Sequence, residues 1–102
     1  MAFTVKFENK DTWIIMPQGE LDISATEGFK NDVIQNYNED KKDLLLDFKD
    51  LDYLDSTGLG SLISILNTIK DDGHTVTIQN VKPSIKKLFV ITKLDTVFKI
   101  GD

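Results

Sequence analysis

The sequence predicts a single α/β domain, a mixed and mostly parallel central sheet of four to five strands packed with three to four helices. Two observations carry that expectation. Segments with strand-like and helix-like hydrophobic spacing alternate along the chain, which implies parallel strands joined by helical crossovers. The first two strand-like segments, by contrast, lie one turn apart with no helix between them, so they pair as an antiparallel hairpin. The 102 residues, 40% of them hydrophobic, suffice for one modest core.

In order along the chain, Phe3, Val5 and Phe7 alternate with Thr4, Lys6 and Glu8, the period-two pattern of a half-buried strand. Asn9-Lys10-Asp11 supplies a turn. Trp13-Ile14-Ile15-Met16 is a continuous apolar run, expected to be a strand covered on both faces with Pro17 limiting its far end. Ser24-Ala25-Thr26-Glu27 fits a capping box with Ser24 as the cap, and Phe29, Val33, Ile34 and Tyr37 follow at helical spacing. Asn38 to Lys42 reads as a polar loop and Leu44–Phe48 as a buried strand. Lys49 to Leu54 reads as a connecting segment with Leu51 and Leu54 turned inward. A second helix carries Leu59, Leu62, Ile63, Leu66 and Ile69 on one face, and Asp72-Gly73 ends it. Thr75–Gln79 is another strand. Pro83 opens a third helix, whose apolar stripe is Ile85, Leu88 and Phe89. Val97–Ile100 forms a short final strand or extended tail.

Composition excludes several classes of function. There is no cysteine, hence no disulfide, thiolate nucleophile or Cys-ligated zinc site. Net charge is −5 and arginine is absent, which argues against direct binding of nucleic acid. No apolar run approaches the roughly 20 residues that span a bilayer, and Met1-Ala2-Phe3-Thr4-Val5 lacks the pattern of a signal peptide. A soluble, acidic, cytoplasmic domain with no membrane association is expected.

Chemistry concentrates at Asp55-Ser56-Thr57-Gly58-Leu59-Gly60, where strand gives way to helix. The hydroxyls of Ser56 and Thr57 lie at or just before a helix N-terminus, where N–H groups and the dipole favour negative charge. Catalysis is not expected there. The one histidine, His74, lies in a turn at the far end of the second helix, about fifteen residues and about 20 Å away, and is read as solvated. Gly58-Leu59-Gly60-Ser61 lacks the lysine of a P-loop. Asp47, Asp50, Asp52 and Asp55 lack EF-hand spacing and are read as structural or electrostatic rather than as a metal site. No enzyme, cofactor or metal is therefore expected. Two readings of Ser56 stay open on the residues alone: a plain helix cap, or a phosphate acceptor whose modification adds about two negative charges to an acidic surface.

The chain resembles the STAS-domain anti-sigma factor antagonists of bacterial partner-switching pathways, nearly end to end (residues 1–102 as one STAS domain). The resemblance rests on Gly19-Glu20-Leu21-Asp22 between the second strand and first helix, and on the Asp55–Gly60 motif. It also rests on Asn80-Val81-Lys82-Pro83, Leu88-Phe89 and Thr92-Lys93-Leu94, where Lys93 replaces a glycine common at that position. It implies that the unphosphorylated protein binds an anti-sigma factor, itself a serine kinase, and so frees a sigma factor for transcription. The kinase, with Mg-ATP in its own site, would phosphorylate Ser56 (alternative Thr57) and end the complex; a PP2C-type phosphatase would restore it. The implied docking surface comprises Gly19, Glu20, Asp22, Ser24, Asp55, Ser56, Thr57, Gly58 and Leu59. Gly58 has two readings, close approach of that partner or simple tolerance in a turn. Other members of the family imply two alternatives: a scaffold component of a stress-sensing assembly, or the STAS subunit of a membrane transporter. Stress response is favoured over sporulation from the look of the motifs.

Overall fold

The computed structural model describes residues 3–101. Its elements are β1 (Thr4–Asn9), β2 (Trp13–Leu21), α1 (Ile23–Glu39), β3 (Leu44–Asp47), β4 (Leu51–Leu54), α2 (Ser56–Asp71), β5 (Val76–Gln79), α3 (Pro83–Ile91), a 3-10 turn (Leu94–Thr96) and β6 (Lys99–Ile100). The sheet runs β1-β2-β3-β5-β6, and β4 pairs with β2 beside that path. Among the described residues the β1–β2 hairpin alone is antiparallel, and the other pairings are parallel. This is the expected mixed α/β architecture, with six strands rather than four to five.

β2 runs through Pro17 instead of ending there. Trp13 and Gly19 both direct their N–H groups to the parallel side, donating to Asp43 O and Asp50 O at 3.0 Å each. Position 17 faces that side too, where pairing with β3 has ended at Ile15 and pairing with β4 has not begun before Gly19. The missing proline N–H therefore costs no ladder bond. Nor is the strand covered on both faces: Trp13 and Ile15 are buried, whereas Ile14 and Met16 are half-buried.

β4 occupies the segment expected to be a mere connection. Its inward residues, Leu51 and Leu54, are three apart, which hides a strand from period-two reading. A tight turn, with Leu51 N–H donating to Phe48 O at 3.0 Å, moves the chain from β3 to the end of β2.

The core gathers Phe29, Val33 and Tyr37 of α1 with Leu59, Leu62, Ile65, Leu66 and Ile69 of α2, over Ile15, Leu44, Leu46 and Ile78 of the sheet. Ile63 is half-buried and Ile65 takes an inner position, so the buried face of α2 is centred on Leu62, Ile65, Leu66 and Ile69. Pro83 is in the first turn of α3 as expected, and Phe89 packs its ring against Phe48 (6.5 Å) and Phe98 (5.6 Å). Gly73, at φ +84°, lets the chain leave α2 in the left-handed region that L side chains rarely adopt. Lys93 adopts a similar conformation, φ 61°, without being glycine. His74 is not simply solvated: its Nδ1 lies 3.3 Å from Asp43 Oδ1 and its ring packs edge-on to Tyr37.

Candidate functional site

β2 and β4 lie parallel and end together, each delivering the chain directly into a helix. Both helices start on an aspartate with extended backbone, Asp22 for α1 and Asp55 for α2. Asp22 Oδ1 accepts from the N–H groups of Ser24 (3.0 Å) and Ala25 (3.3 Å), and from the Ser24 hydroxyl at 2.6 Å. Asp55 Oδ1 accepts from the N–H groups of Thr57 and Gly58, both at 3.0 Å, and from the Thr57 hydroxyl at 2.6 Å. The same device is built twice. It corrects the capping box, because Ser24 donates to the cap and is not itself the cap; carboxylate acceptors satisfy helix N–H donors at least as well as hydroxyls do. It also removes the plain-cap reading of Ser56.

The two starts touch. Asp55 N–H donates to Leu21 O at 3.5 Å, and the hydroxyl oxygens of Thr26 and Thr57 are 3.3 Å apart. Gly58 makes this contact possible. A Cβ at that position would lie 2.7 Å from Leu21 O and 2.5 Å from Leu54 Cδ1. Its close approach is thus to the strand ends of its own fold, and it lies inside the first turn of α2 rather than in a loop. Gly19, at φ 95°, sits at the irregularity where the β2–β4 register shifts before Glu20, within the strand and not in a loop after it.

Both cap carboxyls titrate below the usual carboxylate range. For Asp22 the Ser24 hydroxyl is the main cause, opposed by burial and by the charge of Asp55. For Asp55 it is the Thr57 hydroxyl, then the Gly58 N–H, with the Ile23 N–H adding to them. Two carboxylates are therefore ionised side by side at neutral pH.

Ser56 follows Asp55 as the first residue of α2; it is exposed, and its hydroxyl makes no hydrogen bond among the described residues. Of the other expected site residues, Ser24 is exposed, Glu20, Asp22, Asp55 and Thr57 are half-buried, and Gly19, Gly58 and Leu59 are buried. Leu59 belongs to the core, at 8% exposure. Two surface residues escaped the sequence reading. Ile23 is 76% exposed and Tyr53 48%, beside Asp22 and Asp55 respectively. The signal for Ile23 was available, since it falls off the Phe29-Val33-Tyr37 stripe of α1.

The aspartates near the site are individually engaged. Asp47 Oδ1 accepts from Lys49 N–H (3.1 Å) and the Asn80 amide (3.0 Å), and Asp52 pairs with Lys82. Among the described residues no three His, Asp or Glu side chains gather into a group able to hold a metal ion. Nor does any helix of the described residues have the length and apolarity to cross a membrane.

Residues 4–102 match the STAS domain family. The chain belongs to that family. Among similar proteins is the anti-sigma-B factor antagonist of Bacillus subtilis (strain 168), 29% identical over 83 residues, or 81% of this chain and 75% of the relative. Another, from Staphylococcus epidermidis, is 25% identical over 92 residues, covering 90% of this STAS chain and 85% of the relative. A solved structure assigned as an anti-sigma factor antagonist of Thermotoga maritima superposes with a TM-score of 0.88 at 29% identity, covering 98% of this chain and 86% of its own. The unphosphorylated anti-sigma factor antagonist SpoIIAA, at 20% identity and a TM-score of 0.75, covers 99% of this chain and 88% of its own and shares the STAS fold.

Proposed function

We propose that this STAS protein is an anti-sigma factor antagonist, a regulatory binding module rather than an enzyme, switched by phosphorylation of Ser56. Its unphosphorylated form binds an anti-sigma factor serine kinase and so releases a sigma factor. The kinase, carrying its own Mg-ATP, phosphorylates Ser56 and ends the complex, and a PP2C-type phosphatase reverses the modification. Similarity to the anti-sigma-B factor antagonists supports the role. The single observation that carries the switch is the division of labour at α2: Asp55 caps the helix, which leaves the Ser56 hydroxyl exposed and unengaged.

The surface around it suits such a switch. Ile23 and Tyr53 offer apolar area, and Glu20, Asp22 and Asp55 surround it with negative charge. A partner with an apolar contact ringed by basic groups complements this surface. Phosphorylation of Ser56 adds about two negative charges beside two ionised aspartates, while the helix N-terminus keeps the fold tolerant of the dianion. A loss of only about 3 kcal/mol lowers affinity by roughly a hundredfold.

The test is phosphotransfer from a purified anti-sigma factor serine kinase of the same organism, with Mg-ATP and site mapping by mass spectrometry. Modification at Ser56, accompanied by dissociation of the complex, is the expected result. An active kinase that binds the chain yet leaves Ser56 unmodified would overturn the reading.

A further inference from the structure

At the far end of α2 from Ser56, the last two turns of that helix, the start of β5 and the segment entering β6 line a half-open cavity of about 220 Å³. Its walls are apolar: Leu66 and Val76 are nearly fully buried beneath it, and Val97 flanks it at 50% exposure. Val97 is held there by the left-handed turn at Lys93. That turn starts the 3-10 segment, Phe98 N–H donates to Leu94 O at 2.9 Å, and Phe98 anchors inward against Phe89.

Two lysines stand on the rim, and Asp43 places a carboxylate close to one lining residue, His74. Lys70, Lys99 and His74 border the cavity, and no carboxylate lines it. Neither lysine forms an ion pair among the described residues. Asp43 Oδ1 lies 3.3 Å from His74 Nδ1, so Nε2 is the nitrogen without that neighbour. Two carbonyls at the end of α2 are engaged: Gly73 N–H donates to Lys70 O at 2.9 Å and His74 N–H to Ile69 O at 3.1 Å. In a chain of net charge −5, two lysines without ion pairs among the described residues, set over apolar walls, form a concave spot that can receive an anion.

We propose that this cavity binds a small organic anion, with a compact apolar body against Leu66, Val76 and Val97 and its charged head between Lys70 and Lys99. The volume is below that of a typical drug-sized site, which restricts the body to about one ring. An inorganic ion would gain nothing from the apolar walls, and a neutral ring nothing from the lysines. The site is at the opposite end of α2 from the phosphorylation switch and does not depend on it.

Titration of phenyl phosphate into the isotope-labelled protein, followed by amide chemical shifts, tests the assignment. Saturable shifts at His74, Thr75, Val76, Val97 and Lys99 are expected, with affinity of about millimolar order; benzyl alcohol and inorganic phosphate should each bind about tenfold more weakly. The double variant Lys70→Gln/Lys99→Gln, altered only at exposed positions, should keep its circular dichroism and bind phenyl phosphate about tenfold more weakly. Absence of saturable shifts at this cavity, equal affinity for benzyl alcohol or inorganic phosphate, or unchanged affinity in the double variant would each overturn it.

Discussion

Asp55 and Thr57 are joined twice, the carboxylate Oδ1 accepting from the threonine hydroxyl at 2.6 Å and from its N–H at 3.0 Å. The hydroxyl on neighbouring Ser56 is exposed and has no such bond. Phosphoryl transfer to Thr57 would break the helix cap and place a dianion against an ionised carboxylate. Ser56→Ala is therefore expected to abolish phosphorylation outright, without transfer of the modification to Thr57. Phosphothreonine 57 in the mass spectrum of that variant would contradict the proposed division of roles.

Glycines 58 and 60 should respond to alanine in opposite ways. At position 60 nothing lies within 4 Å of a new Cβ, so helix propensity alone acts and Gly60→Ala should stabilise by about 0.5–1 kcal/mol. At position 58 the new atom would meet Leu21 O at 2.7 Å, and backbone does not give way cheaply. Gly58→Ala should destabilise by about 1–3 kcal/mol despite the gain in propensity. Urea unfolding of the two variants decides both.

Lys93 holds φ at 61° where a side chain is strained. Lys93→Gly should relieve that strain and raise stability by about 1 kcal/mol, partly offset by the greater freedom of glycine in the unfolded chain. A lower midpoint of thermal unfolding would show that the turn is better served by lysine.

Ile23 makes its contribution outside the core. Ile23→Ala should change unfolding free energy by no more than about 0.5 kcal/mol. The same variant should weaken binding of the anti-sigma kinase by about tenfold, as loss of a buried apolar contact predicts. Calorimetric titration that finds unchanged affinity would remove Ile23 from the docking surface.

The Tyr37 phenol donates to Asp72 Oδ2 at 2.8 Å, and burial, followed by that carboxylate, pushes its pKa up to about 12. The unfolded chain releases this proton near pH 10 and the folded chain retains it. Stability from this group is therefore complete below about pH 10 and falls between there and about pH 12, by at most about 3 kcal/mol. Tyr37→Phe should flatten that alkaline decline in denaturant unfolding curves, at the cost of one hydrogen bond at neutral pH.

Period-two and helical spacing located β1, the core of β2, β3, β5 and all three α-helices, because each has one face that must leave water. β4 was hidden because Leu51 and Leu54 are spaced by a shifted register rather than by strict alternation. Pro17 misled for a related reason. Its missing N–H matters only where a neighbouring strand expects it, and that depends on where β3 stops and β4 begins. The caps were nearly legible: an aspartate followed two residues later by a hydroxyl occurs at Asp22-Ser24 and again at Asp55-Thr57, but a serine ahead of a glutamate drew the first cap forward.

The order of the elements other than β4, the acidic composition and a hydroxyl-rich helix start at Asp55–Gly58 follow from the sequence alone, since they rest on spacing, composition and local backbone chemistry. That Ser56, of the two hydroxyls, is the unengaged one was decided by the cap geometry. That two helix starts stand together was decided by the parallel pairing of β2 with β4, residues some thirty positions apart. Gly58 links the two levels. In the sequence it is a glycine with two readings, and in the fold it is the place where α2 rests on the carbonyl of Leu21.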